Sequence, residues 1–101
     1  MILQKQRTLK TEISYTGIGL HSGREVHATL KPAPKDTGIV FVRTDLPGAP
    51  QIHAKAENVT STLRATTVEE DGHKVFTIEH LMSAFHAHRI DNAYVGRASG
   101  G

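Results

Sequence analysis

Apolar residues recur at every second position through the first two-thirds of this 101-residue chain and change to helical spacing at Ile78, and that change of period constrains the fold most. Leu9, Thr11, Ile13 and Tyr15 alternate with Thr8, Lys10, Glu12 and Ser14, the pattern of a half-buried strand over residues 8–15. Val26, Ala28 and Leu30 repeat it over residues 25–30, until Pro32 and Pro34, which cannot donate to a central ladder. After a turn at Asp36, Thr37 and Gly38, the unbroken apolar run at 39–42 reads as a central strand, and residues 52–56 read as a short one. Residues 58–62 are polar and read as a connection. The β-branched stretch at 63–69 meets Asp71 and Gly72, whose turn chemistry predicts a hairpin with residues 74–76.

Ile78, Leu81, Met82 and Phe85 then stand at i, i+3, i+4 and i+7, one face of a helix over about 78–88. Thr77 precedes the run as the expected N-cap. Residues 92–95 read as a last short strand, and 96–101 as a flexible tail or linker remnant behind a domain of residues 1–95. The sum is an α+β fold: a mostly antiparallel sheet with one helix packed on one face, a two-layer sandwich.

Composition excludes several classes. No Cys is present, so no disulfide or thiolate metal site can form. No apolar run approaches the ~20 residues that span a bilayer, and the N-terminus lacks the apolar core of a signal peptide, so a cytoplasmic protein is expected. Twelve Lys and Arg against ten Asp and Glu leave +2, with the basic residues dispersed, and only three Phe and two Tyr could stack on bases. Nucleic-acid binding is not expected.

Histidine is the unusual component, at seven residues, three of which (His80, His86 and His88) lie close together. A transition-metal site here would need imidazole and carboxylate donors. His86 and His88 stand about 200° apart on a helix, and His80 and His88 about 12 Å apart along it, so a regular helix keeps them from one ion. They read as helix-end residues favoured by the negative C-terminal dipole. A helix broken near Ala87 would instead allow a metal site from all three.

Glu79 and His80 fall in the first helical turn. A His that can hold Zn2+ beside a Glu that can take a proton from water is the minimal apparatus of metal-assisted amide hydrolysis. The same pair is also an ordinary product of the helix dipole, which favours Glu in the first turn. Gly17, Gly19 and Gly23 surround Leu20 and His21 in a segment that reads as a loop approaching a ligand or as a tight turn. A strand, not a helix, follows it, which argues against dinucleotide binding.

Seven collinear segments together resemble a known family: Lys5-Gln6-Arg7-Thr8-Leu9-Lys10, Gly17-Ile18-Gly19-Leu20-His21-Ser22-Gly23, Leu30-Lys31-Pro32-Ala33-Pro34, Asp36-Thr37-Gly38-Ile39-Val40-Phe41, Arg43-Thr44-Asp45-Leu46, Thr77-Ile78-Glu79-His80-Leu81 and Ile90-Asp91-Asn92. Over residues 4–95 the chain resembles the N-terminal domain of bacterial UDP-3-O-acyl-N-acetylglucosamine deacetylases, the zinc amidases of lipid A biosynthesis. The resemblance implies a layered α+β domain that packs against a similar second domain, with the active site between them. It implies Glu79 as general base, His80 as a Zn2+ ligand, and Leu20 and His21 as contributors to binding of the UDP-sugar lipid substrate. The family's remaining zinc ligands, its acid His and its acyl passage belong to the second domain and have no match here.

Two departures stand out. The chain leaves the family pattern after Val95, which reads as a truncated or engineered domain. His86, Ala87, His88 and Arg89 replace the small, apolar and glycine residues usual there. The expectation is a half-enzyme that is inactive, or nearly so, without the missing C-terminal domain. The alternative is a non-catalytic half-domain that self-associates and binds metal through its helix histidines.

Overall fold

The computed structural model describes residues 6–18, 25–61, 66–76 and 78–97. Its strands are β1 (Ile13–Ile18), β2 (Glu25–Pro32), β3 (Ile39–Arg43), β4 (Gln51–His53), β5 (Val59–Ser61), β6 (Thr66–Glu70), β7 (His73–Phe76) and β8 (Ala93–Arg97). Among the described residues one α-helix, α1, spans Glu79–Ala87, and a 3-10 turn at Ala56–Asn58 follows β4, which ends at His53 rather than at residue 56. The strands form a five-stranded sheet in the order β1-β2-β8-β3-β4 and a three-stranded sheet in the order β5-β6-β7. Every pairing is antiparallel except β3 with β8. The expected two-layer α+β sandwich is therefore observed.

Strand register explains the core. Ile13 faces Leu30, Leu30 faces Val95, Val95 faces Phe41, and Phe41 faces Ile52, so one apolar row crosses all five strands. Ile78, Leu81 and Phe85 of the helical run join this row in one buried cluster, and Val68 and Val75 add the small sheet's contribution. Each fully buried side chain of this kind contributes about 1.5–3 kcal/mol relative to exposure.

The hairpin is as expected. Asp71 and Gly72 adopt φ of 54° and 81°, and Glu70 faces His73 directly across them. Two consecutive left-handed residues give the twist that joins adjacent strands through a two-residue loop.

Several boundaries differ from expectation, each for a physical reason. Regular pairing of β1 begins at Ile13 rather than residue 8, because the chain near Thr8 serves another partner. The Thr8 hydroxyl donates to the Asn92 carbonyl at 2.6 Å and accepts from the Ala33 amide at 2.9 Å. The Asn92 side chain, on a residue only 2% exposed, accepts from the Gly38 amide at 2.8 Å and donates to Gln6 Oε1 at 2.8 Å. Asn92 thus binds the N-terminal segment to the turn before β3.

β1 also runs on to Ile18 through a segment read as loop, because Gly17 and Ile18 pair with Val26 and Glu25. β2 reaches Pro32, which as the last residue of its strand faces Ala93 at the end of the ladder. Residues 59–61 form β5 where a connection was expected; three residues, with Thr60 exposed, are too few to display a period. β8 continues two residues past the expected boundary at Val95, with Arg97 facing Ala28 and Arg43 and only 1% exposed. Residues 98–101 lie outside the described residues. None of the described helices is long and apolar enough to cross a membrane.

Candidate active site

Glu79 and His80 open α1 immediately after the β6–β7 hairpin. The helix cap is Ile78 rather than the expected Thr77, and it makes no side-chain capping bond. Thr77 lies outside the described residues. The Ile78 amide instead donates to the Thr66 carbonyl at 3.2 Å, tying the helix mouth to the start of β6. The helical ladder then begins with the Met82 amide on the Ile78 carbonyl at 2.9 Å.

Ile78 and Leu81, which flank the pair, are 0% and 2% exposed and fix the backbone between them. At 3.6 residues per turn, Leu81, Met82 and Phe85 fall within about 60° of Ile78, whereas positions 79 and 80 lie about 100° and 200° around the axis. Both positions therefore stand outside the arc that the helix packs on the sheet. The first turn leaves backbone N–H groups without helical acceptors at the positive end of the helix dipole. The side chains of Glu79 and His80, and all of Leu20 and His21, lie outside the described residues.

At its other end the helix is regular. The Ile90 amide bonds to the Phe85 carbonyl at 2.8 Å and the Arg89 amide to the His86 carbonyl at 3.1 Å, a Schellman closure. Arg89 sits at φ 55°, in the left-handed position that such closures usually give to glycine. Arg89→Gly should therefore raise stability by roughly 0.5–1 kcal/mol, the relieved backbone strain less the added unfolded-state entropy. A urea midpoint at or below that of the parent chain would contradict this.

Because α1 is unbroken through Ala87, positions 80 and 88 stay about two turns apart. His86 and His88 are exposed, as expected for helix-end residues. Among the described residues no three His, Asp or Glu are grouped to hold a metal ion.

One titrating contact was not foreseen. The His53 amide donates to Glu70 Oε1 at 2.7 Å, and His53 Nδ1 lies 2.9 Å from the same oxygen, linking β4 of the large sheet to β6 of the small one. Beside it, Arg43 pairs with Asp45 at 2.6 Å and donates from Nη1 to the Lys74 carbonyl at 2.9 Å. No spacing rule predicts the His53–Glu70 and Arg43–Lys74 contacts, because they depend on which sheet edges meet.

The His53 amide, followed by the His53 ring, holds the Glu70 carboxyl below its ordinary 4.5, with burial opposing. A carboxyl whose pKa is lowered by folding adds stability above its unfolded value and loses it as pH falls through its folded value. The parent chain should therefore weaken with acidification below about 4.5, and Glu70→Gln should flatten that decline. Urea midpoints collected across this range check the effect, and parallel profiles would contradict it.

Comparison with known proteins then supplies what geometry alone does not. The family described as UDP-3-O-acyl N-acetylglycosamine deacetylase matches residues 6–99. Proteins named UDP-3-O-acyl-N-acetylglucosamine deacetylase are 58% identical to the chain over 91 residues in Hahella chejuensis, 59% in Chromohalobacter salexigens and 56% in Marinobacter nauticus. Each match covers 90% of this chain but 30% of the relative, so the chain spans under a third of the length of these proteins.

Proposed function

The chain belongs to the UDP-3-O-acyl N-acetylglycosamine deacetylase family, and from that premise we propose that it is the N-terminal part of a zinc-dependent amidase. The substrate is UDP-3-O-acyl-N-acetylglucosamine, and the reaction serves lipid A biosynthesis. The observation that carries the reading is the helix mouth: Glu79 and His80 stand together in the first turn of α1, off its packed arc and fixed by buried neighbours.

The reaction is hydrolysis of an acetamide. Water adds its oxygen to the acetyl carbonyl carbon, the C–N bond breaks as the departing nitrogen takes up a proton in place of the one water gives up, acetate leaves, and the sugar keeps a free amine. Glu79 takes the proton that water gives up, as the positive helix end keeps its carboxylate ionised until that moment. His80 would hold Zn2+ through an imidazole nitrogen, and Leu20 and His21 would contribute to the substrate side of the site. When bound, the ion polarises the acetyl carbonyl as a Lewis acid.

The donor chemistry fits zinc as far as it goes, since imidazole and carboxylate are both ordinary zinc ligands. A catalytic zinc site needs three protein ligands and an open position, and the helix mouth supplies one imidazole with a carboxylate reserved for proton transfer. The chain by itself should therefore release no acetate above background, and co-expression with the remaining two-thirds of a relative should restore turnover. Hydrolysis at the full enzyme's rate by the purified chain alone would overturn the proposal.

A further inference from the structure

A side chain of the large sheet grips the strand that delivers α1. Arg43 closes β3, and its guanidinium points to two partners. Nε and Nη2 donate to the two carboxylate oxygens of Asp45 at 2.8 and 2.6 Å, and Nη1 donates to the Lys74 carbonyl of β7 at 2.9 Å.

The surroundings hold this fork in place. The Leu46 amide donates to the Arg43 carbonyl at 3.3 Å and the Thr44 amide to the Arg97 carbonyl at 2.9 Å, which fixes the turn carrying Asp45. The Arg43 side chain is 14% exposed, and Arg97, which faces it across the β3–β8 ladder, is 1% exposed. Burial, followed by the charge of Arg43, holds the Arg97 guanidinium below its ordinary pKa. Asp45 supplies the negative charge that lets two cations share this end of the sheet. A carboxylate bound in two bonds also fixes the guanidinium plane, and with it the direction of Nη1.

The strand so gripped leads straight to the helix mouth. Lys74 stands two residues, about 7 Å, before the end of β7, and Ile78 caps the helix two residues beyond that end. Thr67 of β6 faces Phe76 of β7, and the neighbouring Thr66 carbonyl accepts the Ile78 amide. The small sheet thus holds the mouth from both sides, by chain continuity through β7 and by the bond from β6. The His53–Glu70 contact ties the same hairpin beside its turn, so Arg43 is the tie on the strand that enters the helix.

We propose that Arg43, oriented by Asp45, is a positioning residue for the amide hydrolysis, setting where β7 places the helix mouth against the large sheet and so where Glu79 stands. The inference rests on the reading of Glu79 as the base, and neither Arg43 nor Asp45 touches substrate in it. A displacement of about 1 Å at a reacting group costs about 10²-fold in rate.

Two measurements test it. In the 101-residue chain, amide hydrogen exchange is followed at Ile78 and at Ala93, whose amide donates to the Gly38 carbonyl at 3.0 Å at the opposite end of the β3–β8 ladder from Arg43. Arg43→Gln should speed exchange at Ile78 about tenfold or more and leave Ala93 within about twofold. In the chain joined to the rest of a relative, turnover is divided by bound zinc, which corrects for molecules that fail to fold. Arg43→Gln should lower that quotient about 10–100-fold with KM within about twofold. Arg43→Lys keeps the charge but cannot hold both Asp45 oxygens and Lys74 at once, so it should stay at least about fivefold down. Equal acceleration at Ile78 and Ala93, a quotient equal to the parent's, or full recovery in Arg43→Lys would each overturn the proposal. Full turnover in Glu79→Gln, made alongside, would sink the general-base reading instead, and the exchange measurement needs no activity to decide whether Arg43 holds the mouth.

Discussion

Glu79→Gln, made in the chain joined to the rest of a relative, should lower deacetylation by about 10²–10⁴-fold, the usual contribution of a positioned general base. The amide has the size and hydrogen-bonding reach of the carboxylate but cannot take a proton from water at neutral pH. Its site in the first turn of α1 is fixed by Ile78 and Leu81, both essentially buried, so the exchange leaves the helix mouth in place. Bound zinc should remain at the parent level. Steady-state rates of acetate release with metal content measured on the same sample separate the outcomes. Full turnover, or loss of metal with loss of turnover, would remove Glu79 from the role of base.

The second large effect concerns folding. Phe41 is 0% exposed and stands between Val95 and Ile52 in the row that crosses the sheet. Phe41→Ala should cost about 3–5 kcal/mol, because the lost transfer energy adds to that of a cavity the rigid strands cannot close. Against a total stability of about 5–15 kcal/mol for a domain, this is a large share. Where the variant fails to fold, Phe41→Leu keeps the measurement informative, with a smaller loss expected in the same direction. Ile13→Ala, at the exposed end of the same row, should lose far less, since its side chain is already largely in water. Equal losses at Phe41 and Ile13 in urea unfolding would show that the row is not the core.

The parts of this fold that sequence discloses are those held by neighbours along the chain. Asp71 and Gly72 form the predicted hairpin because their own backbone preferences impose it. Ile78, Leu81 and Phe85 mark the helix because its buried stripe repeats every three or four residues. What stays hidden depends on distant partners. The last strand, β8, lies in the middle of the sheet between β2 and β3, and nothing in residues 93–97 announces that position. The tethering role of Asn92 needs Gln6 and Gly38 brought to it, and the His53–Glu70 contact needs two sheets to meet.

The candidate site was legible in a different sense. Glu79 beside His80 has an ordinary structural explanation in the helix dipole, and spacing does not choose between that and catalysis. The order of seven motifs along the chain ties the pair to a family, and the proposed roles of Glu79 and His80 rest on that tie. Leu20 and His21 rest on that resemblance alone, since they lie outside the described residues.

The central claim, that this helix mouth is one part of a zinc centre completed elsewhere, is tested most directly by counting metal. The chain would be co-purified with the separately expressed remainder of a relative, and zinc measured per complex by atomic emission, with and without His80→Ala. One zinc per complex, lost with His80→Ala and kept with Glu79→Gln, is the expected result. Zinc fully retained after His80→Ala would mean that the ion is held without this chain.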